Sequence, residues 1–366
     1  MSPYGAPQET VPIRLNVNEN THGIPDAVAD DIAKALVVAL RTVNRYPDRE
    51  FTALREALAL YVGHGLRREN IWAANGSNEV LQQVVQAFGG PGRTALGFTP
   101  TYSMHSIIAA VNSTRWIEAP RDPEFNVTTE LALAALARDK PDIIFLCAPN
   151  NPTGTPLALE TVRRIYDETP GIVLVDEAYA EFGDGTTALS LLPGRPRLIV
   201  SRTMSKAFAF AGARVGYLAG DPAVTDAMRL VRLPYHLSAL TQAAAVAALG
   251  HTGTMLSTVA DIRRQRDLLS QELPGLGFTP WPSEANFVLF GGVRDPQDTF
   301  GRLFERGILI RDVGIPEHLR VTAGTAQETS AFLSALAELD ASNRSADPAR
   351  PPATEGTTTA IDRIGI

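Results

Sequence analysis

The chain has 366 residues, of which 45% are hydrophobic and 20% charged, with a formal net charge of -7 and a sequence pI near 5.5. That balance describes a globular protein able to bury a large core, and it supplies no basic stripe for nucleic acid. The single cysteine excludes an internal disulfide, the histidines show no metal-ligand spacing, and no apolar run of about 18 residues marks a membrane span, so a cytoplasmic protein without metal, membrane or nucleic-acid partner is expected.

The opening stretch "MSPYGAPQET" lacks the basic-then-apolar pattern of a secretion signal. Next, "PDAVADDIAKALVVALRTV" places Val28, Ile32, Leu36, Leu40 and Val43 at steps of three or four, which predicts an amphipathic helix. From about Asn70 to Leu249, short apolar runs alternate with turn residues and helix-like stretches. The runs are "NIWAA", "TALGF", "DIIFLCA", "GIVLVD", "RLIVS" and "GYLA". Near-continuous apolar strands alternating with helices predict a mainly parallel sheet covered on both faces, an α/β domain.

Downstream the pattern becomes a long helix around residues 254–273, then strands in "ANFVLF", "ILIRDV" and "LRVTAG". A last helix opens at "TAQETSAFLSAL", where Thr325 and Glu328 have capping-box spacing. The chain therefore divides into an N-terminal arm that completes a smaller domain (1–45), a large domain (46–250) and a smaller α+β domain (251–340). Residues 341–366, polar and rich in Pro, Ala and Thr, read as a disordered tail.

Several strand ends carry polar groups. Asp176 closes "GIVLVD", Asn150 and Asn151 follow "DIIFLCAP", and Gly76, Ser77 and Asn78 open a helix after "NIWAA". In a parallel sheet the carboxyl ends of the strands face the ligand crevice, and a helix N-terminus offers free N–H groups to an anion. Each also has a structural reading: Asp176 as a cap, "NNPTG" as a tight turn, Lys206 in "SRTMSKAFAF" as a lysine reaching solvent. No GxGxxG or GxxxxGK loop is present, so neither a dinucleotide nor a nucleoside triphosphate is indicated.

Taken together and in order, "NGSNE", "PTYSMH", "APNNPTG", "VDEAY" and "SRTMSKAFAFAGARVGY" resemble the fold-type I aminotransferases that use pyridoxal 5'-phosphate (PLP), over about residues 10–340. The resemblance implies a large domain with a mainly parallel, seven-stranded sheet between helices and a smaller α+β domain. It implies that Lys206 bonds covalently to PLP and shuttles the proton, that Asp176 holds the pyridine nitrogen, and that Tyr179 and Asn151 bind the ring hydroxyl. Tyr102 would stack on the ring. Ser77, Asn78, Thr203, Ser205 and Arg214 would hold the phosphate, joined by Tyr46 from the partner subunit of a homodimer with shared sites.

Within the family, "LNVNEN", "NRYPDREFTALREALA", "LVRLPYHLSALTQAAA" and "LRVTAGT" are most similar to the branch acting on histidinol phosphate, with glutamate and 2-oxoglutarate as the other substrate pair. By that resemblance Arg311 and Arg320 bind substrate anions, and Asn20, His22 and Asn151 line the substrate pocket. The chain departs from the family's Asn-Glu-Asn-Pro-aromatic pattern, with Thr21 and His22 in the last two places. An aminotransferase for aromatic or other amino acids in another pathway, or a PLP-dependent decarboxylase or lyase on a phosphorylated amino acid, would use the same lysine. A PLP-binding regulatory module is disfavoured because no DNA-binding segment is attached.

Overall fold

The computed structural model describes Gly5 and residues 7–346. In chain order, β1 (Ile13–Arg14), α1 (Asp26–Leu40) and α2 (Thr52–Val62) precede β2 (Ile71–Ala74), α3 (Ser77–Phe88), β3 (Thr94–Thr99), α4 (Met104–Val111) and β4 (Arg115–Pro120). Then come α5 (Thr129–Asp139), β5 (Ile143–Cys147), α6 (Leu159–Glu168), β6 (Ile172–Asp176), β7 (Leu198–Thr203), β8 (Gly216–Ala219), α7 (Pro222–Val231) and α8 (Ala239–Gly250). The remainder is α9 (Thr252–Met255), α10 (Val259–Glu272), β9 (Thr279–Pro280), β10 (Phe287–Gly291), α11 (Pro296–Glu305), β11 (Ile308–Leu309), β12 (Leu319–Thr322) and α12 (Ala326–Ala346).

A seven-stranded sheet runs in the order β2-β8-β7-β6-β5-β3-β4, parallel except for β8, which is antiparallel to both neighbours. Its central strands begin as apolar runs because helices cover both faces: Ile143, Ile144, Val173, Leu174, Leu198 and Ile199 are fully buried. Register places Cys147 opposite Asp176 and Asp176 opposite Ser201, so β5 and β6 end level with one another and β7 runs two residues farther, to Thr203. The smaller unit holds β12-β10-β9, antiparallel, and the parallel pair β1–β11. Its core gathers Ile262, Leu269, Phe287, Phe290, Phe332 and Leu336. No single helix among the described residues is long and apolar enough to cross a membrane.

Four sequence expectations need revision. The segment 1–45 is divided: β1 and Leu15 join the smaller unit, whereas α1 packs its Val28 and Ile32 into the larger core. The α1 stripe is also shorter than its spacing implies, since the helix stops at Leu40 and both Leu40 and Val43 are exposed. The long helix around 254–273 is broken between Met255 and Val259. Helix α12 runs on to Ala346, into the stretch read as tail; residues 347–366 lie outside the described residues. The expected capping box is present, with Thr325 N–H donating to Glu328 Oε2 at 2.8 Å and Glu328 N–H donating to Thr325 Oγ1 at 3.2 Å.

Helix α3 begins hard against β8. A Cβ on Gly216 would lie 2.1 Å from the Ser77 nitrogen and 2.2 Å from the Gly76 carbonyl carbon, both backbone atoms that cannot swing aside. Overpacking of this kind costs about 1–3 kcal/mol or more. Gly216→Ala should therefore lower the denaturation midpoint, measured by chemical unfolding followed by circular dichroism; an unchanged midpoint would show that α3 can move away freely.

Candidate active site

Parallel strands deliver their functional groups at their carboxyl ends, and that edge opens into a cavity of about 690 Å³. Tyr102 follows β3, Asn151 follows β5, and Asp176 and Thr203 are the last residues of β6 and β7. Lys206 sits on the turn just beyond β7, and all five line the cavity.

One part of the cavity is built for an anion. Gly76, at φ +86°, precedes α3, and a Cβ there would fall 2.4 Å from Arg214 Nη2, so the missing side chain is what admits the guanidinium. Arg214 is held by donation to the Ala211 carbonyl at 3.1 Å. Beside it, Ser77 and Asn78 open α3, whose first N–H groups have no partner within the helix. Thr203 Oγ1 lies 2.9 Å from Ser205 Oγ, adding two hydroxyls. A guanidinium, hydroxyls and a helix N-terminus form a donor set suited to a phosphate monoester.

Asp176, 2% exposed, accepts from Ser201 Oγ at 2.9 Å on Oδ1, and its Oδ2 is 3.1 Å from His105 Nε2. The Tyr179 hydroxyl accepts from Asn18 Nδ2 at 3.0 Å and from Asn151 Nδ2 at 3.3 Å, and burial pushes this phenol upward from its ordinary pKa. Tyr102 donates its hydroxyl to Asn78 Oδ1 at 3.2 Å. Arg320, 6% exposed, donates to Asn151 Oδ1 and, at 2.7 Å, to the Asn16 carbonyl, with its guanidinium 5.0 Å from the centre of the Phe287 ring.

Four expected site residues do not line this cavity. Arg311 donates to the Gly5 carbonyl at 3.0 Å. Asn20 bridges Ala207 O and Thr258 Oγ1, each at 3.2 Å, and accepts from the backbone of His22 at 2.9 Å. Tyr46 is 80% exposed and stacks on Tyr235 with ring centres 4.3 Å apart. Conversely, sequence reasoning overlooked Asn18, His105 and the buried pair Glu177–Arg202, whose Oε2 and Nη2 are 2.8 Å apart. Glu177 and Arg202 each adjoin a cavity residue, Asp176 and Thr203, so the pair braces two strand ends next to the site. The acid in "VDEAY" and the arginine in "SRTMS" were its only local sign.

Lys206 Nζ donates to the Val17 carbonyl at 2.9 Å and makes no salt bridge among the described residues. Burial, then the Arg320 guanidinium, and more weakly Arg214, lower its pKa from 10.5 to about 8, while Glu19 opposes them. Near neutral pH a usable fraction is thus the free amine, a nucleophile and a base. Labelling of Lys206 in ligand-free protein by an amine-reactive reagent, followed by mass spectrometry across pH, should show a midpoint near 8, and Arg320→Met should move it upward. A midpoint at the ordinary lysine value in the parent protein would contradict this environment.

The family model for aminotransferase class I and II matches residues 10–336. The chain is 58% identical to the histidinol-phosphate aminotransferase of Paenarthrobacter aurescens, over 93% of this chain and 92% of that one, and 55% identical to that of Thermobifida fusca, over 92% of each. It superposes on the crystal structure of histidinol-phosphate aminotransferase from Sinorhizobium meliloti in complex with pyridoxal-5'-phosphate with a TM-score of 0.83 at 26% identity, covering 91% of this chain and 92% of that one. With its sheet order, strand-end residues and helix-terminal anion cradle already of that kind, the chain belongs to the class I and II aminotransferases of fold type I.

Proposed function

We infer that this chain transfers the amino group of L-histidinol phosphate to 2-oxoglutarate, giving imidazole acetol phosphate and L-glutamate, with PLP as cofactor. The relatives at 58% and 55% identity support the substrate, and the PLP-bound relative supports the cofactor. The observation that carries the reading is the meeting, in one cavity, of a lysine with a lowered pKa, a strand-end carboxylate and a phosphate cradle. The residues fit PLP: Gly76 leaves open the space over which Arg214 and the start of α3 would grip its phosphate.

When bound, PLP supplies an electron sink that lets an amino group pass between two carbon skeletons. Lys206 is the base that takes the proton from the substrate Cα and the acid that returns it. Asp176 would hold the pyridine nitrogen and favour its protonated form, with Ser201 and His105 fixing the carboxylate. Tyr179 and Asn151 would hold the ring oxygen, and Tyr102 would cover the ring. Arg320 receives the substrate anion: the phosphate in one half-reaction and the α-carboxylate in the other.

The exposed apolar residues support a homodimer. Val38, Leu40, Val43 and Tyr46 face outward near a groove of about 620 Å³ lined by Val38, Tyr46, Leu54, Ala243 and Val246. Tyr46, exposed beside this groove, is available for the role the family resemblance implies, a contact with the cofactor phosphate of a partner subunit. The one cysteine, buried, suits a reducing cytoplasm.

Four measurements test this reading. Lys206→Ala should abolish both turnover and the visible absorbance of the loaded enzyme; normal turnover would refute the role of the lysine. Asp176→Asn should keep the fold but lose about 100-fold or more in kcat, the scale of a removed electrostatic stabiliser, and near-parental turnover would make Asp176 structural. Histidinol phosphate should exceed unphosphorylated histidinol in kcat/KM by about 10-fold or more, as a lost charge-assisted contact implies. Phenylalanine or histidinol outperforming it would reassign the substrate. For the shared site, mixing Lys206→Ala with Tyr46→Ala subunits should restore activity, and verified heterodimers that stay inactive would count against it.

A further inference from the structure

We propose that Arg14 is the anchor for the distal carboxylate of glutamate and 2-oxoglutarate, and so serves one of the two half-reactions selectively. The inference rests on the transamination reading above. Its basis is the run of chain that leaves β1 and passes along the cavity. Asn18 Nδ2 donates to the Tyr179 hydroxyl at 3.0 Å, the Val17 carbonyl accepts from Lys206, and the Asn16 carbonyl accepts from Arg320 at 2.7 Å. The run thus passes the reacting centre first and the inner anion site next.

Arg14 continues it outward. Arg14 ends β1 two residues before the bend at Asn16, at most about 7 Å from it along the chain. Leu15, between them, is 1% exposed and sits in the core of the smaller unit. Arg14 lines the same cavity as Lys206 and Arg320, and its side chain is exposed. Among the described residues it makes no hydrogen bond or ion pair, so a carboxylate would displace no existing partner. Glu9 also lines the cavity and is not paired with it. Arg311, the other candidate for a second cation, is turned to the Gly5 carbonyl instead.

Substrate chemistry says which ligand needs this cation. Histidinol phosphate carries one anionic group, a phosphate on the carbon next to its amine-bearing carbon, and its other arm ends in an imidazole. Glutamate carries an α-carboxylate in the place of that phosphate arm and a second carboxylate on the other arm. Arg320 at the inner position serves both substrates, whereas a second cation toward the mouth is required only by the five-carbon dicarboxylate. An exposed, unpaired arginine on a flexible stem meets that need and can withdraw when the imidazole arm occupies the space.

The test is steady-state kinetics of Arg14→Met and Arg14→Lys in the PLP-loaded enzyme, with 2-oxoglutarate compared against 2-oxohexanoate, an acceptor of similar length without the distal charge. Arg14→Met should raise KM for 2-oxoglutarate by about 10- to 100-fold, leave KM for histidinol phosphate within about threefold, and erase the preference for 2-oxoglutarate over 2-oxohexanoate. Arg14→Lys should recover part of that preference. Equal weakening of both substrates, or an unchanged acceptor preference, would overturn the assignment. Thermal unfolding of each variant identifies loss of fold, and the half-reaction of loaded enzyme with glutamate, followed by absorbance, gives the same comparison without the amino donor. A parent enzyme that rejects histidinol phosphate with every acceptor would instead refute the substrate reading, and the glutamate half-reaction would still report on Arg14.

Discussion

A primary amine buried in a cavity, with the Arg320 guanidinium as its strongest charged neighbour and a backbone carbonyl as its hydrogen-bond partner, is the condition on which the rest of the site depends. Burial alone disfavours an ammonium, and nearby positive charge disfavours it further. Arg320 and Arg214 are thus doubly placed, since the groups suited to attract anions also lower the pKa of the lysine. Filling the cavity with anionic ligands offsets that positive field.

Such an arrangement requires several backbone segments to bring residues to one level. Parallel pairing of β5, β6 and β7 does this for Cys147, Asp176 and Ser201, and the buried Glu177–Arg202 pair ties the next residues together. Breaking that pair would leave a buried charge uncompensated, the costly case for an internal ion pair. The carboxylate of Glu181 is a second neighbour to Arg202 and accepts from the Tyr61 hydroxyl at 2.9 Å, with burial raising its pKa. The polar layer beside the site is therefore connected rather than scattered.

Much of this was legible in the chain because it is local. An apolar run that stops at an aspartate, or at an Asn-Asn-Pro turn, reports both the strand and the group at its end. Strand β4 escaped notice since, as an edge strand, it reads Arg-Trp-Ile-Glu-Ala-Pro, with Arg115 and Glu118 exposed and no continuous apolar run. His105 lies on α4, far in sequence from its partner Asp176, and a histidine among apolar residues carries no sign of what it faces. The two arginines of the smaller unit show the same limit: Arg311 and Arg320 pair directly across a β-bridge, yet only Arg320 lines the cavity. Periodicity identifies a face, not which of its side chains reach a site.

The first and last parts of the described chain meet at the substrate side. Asn18 N–H donates to Thr322 Oγ1 at 3.1 Å and Arg320 to the Asn16 carbonyl, across a sequence separation of 304 residues in each case. The seven-stranded sheet needs only residues 71–219 and can assemble while synthesis continues, whereas this wall of the cavity cannot. Closing so long a loop costs entropy that grows only slowly with length, but the closure must wait for the last strand to leave the ribosome. The anion cradle at the start of α3 would then take shape before the wall of the cavity built by residues 16–18 and 320–322.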